Sequence, residues 1–137
     1  MRICALVVIA LLGTGFATGE AAAQESSLAG TWELVEQRLV YPDRVVDRSD
    51  SLQQTFKILN NTRFSFGRQI RDGEVYAGGG TYTFDGDTYT EHIRYHSEPG
   101  LPGQSITFEA RVEGDTWHHR GDLGVYVVEE VYRRVER

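Results

Sequence analysis

The stretch from Thr81 to Thr90 restricts this chain more than any other: Thr-Tyr-Thr-Phe runs into Asp85-Gly86, and Asp-Thr-Tyr-Thr runs out of it. Aromatic and hydroxyl side chains alternate on both sides of an Asp-Gly pair. A period of two places one kind of side chain on each face of a strand, and the glycine accepts the positive φ that a tight hairpin turn demands. Gly114-Asp115 stands in the same relation to an alternating strand before it and Thr-Trp-His after it. Consecutive strands are therefore expected to be antiparallel neighbours.

Segments of this kind recur along the chain. About eight of them, rich in Val, Ile, Thr, Tyr and Phe, fall at 31–38, 52–59, 62–69, 74–84, 87–96, 104–113, 115–121 and 125–135, with Gly, Asp, Asn and Pro between them. That is the strand number at which a sheet closes around its own side chains or one small ligand. The expectation is an all-β fold, a single antiparallel eight-stranded barrel over residues 24–137. Two longer connections, 39–51 and 97–103, either cover a barrel mouth or simply join strands.

Residues 1–23 differ in composition from the rest: Arg2, an apolar run from Ile3 to Leu12, then Ala21-Ala22-Ala23. This is the pattern of a signal peptide cleaved near Ala23, and it predicts a secreted or periplasmic protein beginning near Gln24. The apolar run falls short of the ~20 residues a spanning helix needs, so stable membrane insertion is not expected. The chain's one cysteine, Cys4, precedes that run and is not placed to carry a lipid. Residues 24–137 then have no disulfide, and their stability must come from a core. A net charge of −6, with no cluster of Lys or Arg, argues against nucleic acid as a partner.

With Asp85-Gly86 as a two-residue loop, Tyr82 faces Tyr89, Gly80 faces Glu91, Gly78 faces Ile93 and Tyr76 faces Tyr95, all on one side of the sheet. Thr81, Thr83, Thr90, His92 and Arg94 take the other side, so the tyrosine face is the inner one. In the second hairpin Val112 pairs with Trp117 and Ala110 with His119; Phe108 joins them inside, and His118 points out. Tyr76, Tyr82, Tyr89, Glu91, Tyr95, Phe108, Trp117 and His119 are thus the candidate lining of an interior cup. Glu91 is its one carboxylate, and inside a barrel it must be protonated, hydrogen-bonded or paired with a cation.

Three functional readings follow. In the first the cup binds a small, largely apolar molecule, with Glu91 and the tyrosine hydroxyls orienting it. In the second Glu91 and His119 form an acid–base pair for an isomerase or hydrolase. In the third the barrel is filled and acts through its outside. No catalytic residue, cofactor or metal is assigned. Of the four histidines, His118 and His119 face opposite ways, while His92 and His96 lie roughly 13 Å apart at the strand rise. No Gly-x-Ser-x-Gly and no glycine-rich phosphate loop occur. The oligomeric state is not written in the sequence.

Gly30-Thr31-Trp32 puts a Gly-x-Trp at the start of the first strand, and Glu130-Val131-Tyr132-Arg133-Arg134 ends the last strand on arginine. With Gly-Gly-Thr-Tyr-Thr at 79–83 and Tyr-Thr-Glu-His-Ile at 89–93, the chain from residue 24 onward resembles the small bacterial lipocalin-like domains of the calycin class. The resemblance implies an up-and-down barrel whose cup takes a small hydrophobic ligand. It also implies structural roles for Trp32, as the plug of the barrel base, and for Arg134 or its neighbour Arg133, stacked on that ring by a cation–π contact. The chain departs from longer lipocalins in being short and cysteine-free, which keeps the filled barrel open as an alternative.

Overall fold

Alternation along the chain produces strands almost throughout. The computed structural model describes residues 28–137; the expected leader, Cys4 and the start near Gln24 lie outside the described residues. The strands are β1 (Gly30–Val40), β2 (Val45–Asp47), β3 (Thr55–Leu59), β4 (Arg63–Arg71), β5 (Glu74–Phe84), β6 (Thr88–His96), β7 (Ser105–Glu113), β8 (Thr116–Asp122) and β9 (Val127–Glu136). Each pairs antiparallel with the next around the ring, and β9 returns to pair with β1. Eight strands thus close a barrel and leave it no free edge. The short β2 is extra. It folds back on the end of β1 through a turn closed by the Tyr41 N–H on the Arg44 carbonyl (2.8 Å), inside the segment 39–51 expected to be irregular.

The Gly114-Asp115 hairpin has the expected register, with Val112 opposite Trp117 and Ala110 opposite His119. The other hairpin does not. Its turn is Gly86-Asp87, one residue further on: the Asp85 N–H donates to the Thr88 carbonyl (3.3 Å), the Asp85 carboxylate accepts from the backbone N–H of Asp87 (3.0 Å) and Thr88 (2.8 Å), and Gly86 turns at φ +108°. Phe84 therefore faces Tyr89, Tyr82 faces Glu91 and Gly80 faces Ile93. The slip is two residues, so Tyr82, Tyr89, Glu91 and Ile93 keep the inward face they were expected to have.

Two bulges change that face partway along a strand. In β6 the pairing steps from Gly80↔Ile93 to Gly79↔Tyr95, leaving Arg94 as the extra residue. Beyond it His96 turns inward and Tyr95 turns out. In β1 the step from Leu34↔Tyr132 to Glu36↔Val131 does the same, so Trp32 and Leu34 point in and are followed by Gln37 and Leu39.

One end of the barrel is solid. Trp32, Trp117, Tyr89 and Leu28 are fully buried there, with Leu59, Phe64 and Tyr82 around them. The tryptophan rings meet edge to face at 5.5 Å and Tyr89 meets Trp117 at 5.1 Å, favourable aromatic geometries. The opposite end is ringed by the longer connections, including Arg48, Glu98, Gly100 and Leu101.

Candidate functional site

Above the aromatic floor the barrel encloses a cavity of about 890 Å3, open at the loop-ringed end. Its walls mix apolar and polar side chains: Leu34, Leu39, Ile93, Phe108, Tyr126 and Val128 come from β1, β6, β7, β9 and the turn before β9, and Gln37, Lys57, Glu91, His119 and Glu130 stand among them. Four of the expected lining residues, Tyr76, Glu91, Phe108 and His119, face this space. Tyr82, Tyr89 and Trp117 point inward but pack into the floor beneath it. Tyr95 does not belong to the cup. The bulge at Arg94 puts it on the outer face, 53 % exposed, with its ring over Gly79 and its hydroxyl donating to Ser65 Oγ at 2.8 Å.

Glu91 is a paired carboxylate. Lys57 Nζ donates to its Oε1 at 2.7 Å and the Tyr89 hydroxyl to the same oxygen at 3.0 Å; the lysine and glutamate side chains are only 5 % and 7 % exposed. The ammonium also lies 5.3 to 5.9 Å from the centroids of Phe64, Tyr89, Trp117 and Tyr132. A desolvated cation among ring faces, held by one carboxylate, is compensated from every side.

A second polar cluster occupies the wall. Glu130 accepts from the Tyr132 hydroxyl (2.9 Å) and His119 Nδ1 (3.1 Å) on Oε2, and from Gln37 Nε2 (2.8 Å) on Oε1. Burial alone would raise its pKa, but the hydrogen bond from His119, the nearby charge and the Gln37 amide outweigh it and hold the carboxyl at about 2. Burial and the Lys57 charge push His119 below its ordinary value. The cluster is therefore an ionised glutamate accepting from a neutral histidine protonated on Nδ1. Burial likewise raises the Tyr89 and Tyr132 hydroxyls well above the usual tyrosine range, so both remain donors.

Glu91 and His119 accordingly have different partners, Lys57 with Tyr89 for the first and Glu130 for the second. The sequence reading missed Lys57, Gln37 and Glu130. The alternation Val128, Glu130, Tyr132 carried the signal for Glu130, whereas the β1 bulge hid Gln37. His92 and His96, expected on one face, are split by the β6 bulge: His92 bonds Ser105 outside at 2.8 Å, and His96 packs on Tyr76 at 4.9 Å in the mouth. Among the described residues no three His, Cys, Asp or Glu side chains are placed to hold a metal ion.

At the closed end Trp32 donates from Nε1 to the Leu28 carbonyl at 2.8 Å, and the Arg134 guanidinium lies 4.0 Å over its ring while bonding the Ala29 carbonyl. Arg133, the other candidate, instead reaches Glu33 on the outside at 2.8 Å.

A closed antiparallel barrel with a cup at one pole and a tryptophan clamped by arginine at the other is a lipocalin-like domain. In keeping with this, the fold is similar to that of a lipocalin-like protein from Bacteroides uniformis ATCC 8492 at 19% identity, covering 78% of this chain and 97% of that one with a TM-score of 0.53. Residues 27–137 match DUF4488, a domain of unknown function, and the chain belongs to that family. Weaker likenesses run to an uncharacterized protein from Bacteroides eggerthii DSM 20697 (18% identity, 77% of this chain and 98% of that one, TM-score 0.47) and to a redesigned β-barrel (16%, 78% and 90%, 0.48). No curated protein matches.

Proposed function

We propose that this is an exported protein whose barrel binds a small, largely apolar molecule in the cup. The observation that carries the reading is the cavity of about 890 Å3, in which Leu34, Leu39, Ile93, Phe108 and Val128 form an apolar surface among convergent polar groups. Ligand sites usually have that size, ~300–1,000 Å3, and combine apolar surface with placed polar groups. The same space favours a binding protein over a filled barrel. Paired as it is, Glu91 serves as a fixed polar landmark on the cup floor and not as a free base.

Thermal shift of the folded protein against a library of apolar small molecules tests the reading. Binders are expected to raise the melting temperature, since a ligand of the native state stabilises it by mass action. Val128→Trp, which places an indole in the cup, is expected to abolish those shifts. A broad library without one binder would remove the proposal. Export rests on the segment from Arg2 to Ala23 and is checked separately: protein recovered outside the cytoplasm should begin near Gln24, and an intact Met1 there would count against cleavage.

A further inference from the structure

Among the described residues nine of the thirteen Lys and Arg side chains are within ion-pair distance of a carboxylate, the exceptions being Arg48, Arg63, Arg68 and Arg94. In a chain with 20 acidic and 14 basic residues, a guanidinium left without a carboxylate calls for a reason. Two of the four, Arg48 and Arg68, line the mouth of the cup, and together they also line an adjoining recess of about 210 Å3 with Gln37, Gln53, Gln69 and Tyr76. They reach it from different elements, Arg48 from the connection before β3 and Arg68 from β4.

Arg68 is the more telling of the pair. It is half-buried, its guanidinium lies 4.8 Å from the centroid of the Tyr76 ring, and no protein acceptor meets its N–H groups. Contact with the ring holds the guanidinium in place while its N–H groups have no protein acceptor, an arrangement that suits capture of an oxyanion. The rim carboxylates, Glu98 and Asp122, stand on the loop after β6 and at the end of β8, and neither comes within ion-pair distance of Arg48 or Arg68. For the half-buried Arg68, donors without a protein acceptor are costly unless water or a ligand meets them, whereas Arg48 is exposed.

We infer that the ligand of the cup is an anionic amphiphile, whose apolar body lies against Leu39, Ile93, Phe108 and Val128 while its carboxylate, sulfate or phosphate ester is held at the mouth by Arg48 and Arg68. This rests on the cup being a binding site and names the chemistry of what enters it. The source of the anion is a free molecule in solution, since the guanidiniums face the cup and its side recess.

Decanoate, decyl sulfate, decanol and decyltrimethylammonium share one tail and differ in the head, so their binding to the folded protein separates the two claims. Calorimetry is expected to show decanoate and decyl sulfate binding about tenfold or more tightly than decanol, because a charge-assisted contact is worth at least one decade. The advantage should shrink with added salt, and the cationic head should bind most weakly. In Arg48→Gln/Arg68→Gln the acids should fall to the level of decanol, with decanol unchanged. Decanol binding as tightly as decanoate to the unaltered protein would overturn the inference and leave the cup standing. Failure of all four tails would overturn the cup itself. An arm with vesicles containing phosphatidylglycerol is expected to show no co-sedimentation; capture on those vesicles would overturn the assignment to a free molecule.

Discussion

Lys57 is the residue on which the interior turns. Its ammonium sits beneath the cavity with one carboxylate, one tyrosine hydroxyl beside that carboxylate and four ring faces around it. Lys57→Met keeps the volume and strands Glu91 as a buried charge, so chemical denaturation should show a loss of about 3–5 kcal/mol. Lys57→Met/Glu91→Leu removes both charges and should recover most of it. A single variant within about 1 kcal/mol of the parent, the scale of an exposed pair, would mean that water reaches Glu91 freely. The second cluster sets the response to acid. His119 is held neutral by burial, below the 6.5 it has in the unfolded chain. Stability is therefore full above that pH and declines as the unfolded state takes up the proton. Glu130, at about 2 when folded against 4.5 unfolded, adds a second decline as pH falls through the carboxylate range. Melting temperature followed against pH should drop in these two stages, and His119→Gln should flatten the first and, because His119 helps hold Glu130 down, shrink the second.

Among the elements, β5 shows most clearly how backbone approach depends on single side chains. A Cβ on Gly80 would run into the carbonyl of His92 and crowd the Arg94 amide at the bulge of β6, whereas a Cβ on Gly67 would meet nothing nearer than Ala77 Cβ at 4.0 Å. Thermal melts should place Gly80→Ala about 1–3 kcal/mol or more below the parent and Gly67→Ala within ~0.5 kcal/mol of it. Equal effects would mean that the bulge adapts at no cost. This bulge also marks the limit of what alternation can reveal. The hairpin at Gly114-Asp115 was fully legible, and at Asp85 the turn was placed one residue early, harmless to the faces because a slip of two preserves them. Tyr95 was misplaced because a one-residue bulge leaves no mark on a run such as His-Ile-Arg-Tyr-His except the glycines across from it. β3 is harder still. Thr55, Lys57 and Leu59 share one face with Phe56 and Ile58 on the other, so polarity alone turns the strand inside out, whereas in the barrel Ile58 is 56 % exposed and Lys57 is buried. Only a partner charge across the interior, Glu91, makes that orientation favourable, and partners on distant strands are not readable from one segment.

For the molecule as a whole, strand count, antiparallel order and closure could be read from the chain because each is set by local pattern and by the number of strands that a ring requires. The cavity could not, since its volume depends on how side chains from β1, β6, β7 and β9 share the middle of the ring. Closure itself joins the first strand to the last. The seam runs along the whole of β1 and β9, is bridged outside by Arg133 on Glu33 and Arg38 on Glu129, and is fastened at the floor by Arg134 on Trp32. Contacts between residues so far apart in sequence form late, so the meander of neighbouring hairpins is expected to precede the seam during folding. The pairing of Thr31 with Glu136 has one more consequence. Both ends of the described chain leave from the same pole, the one sealed by indole and guanidinium. Tethered through either end to a bead, a surface or a fusion partner, the barrel would turn its doorway away from the support, and whatever enters would meet it unobstructed.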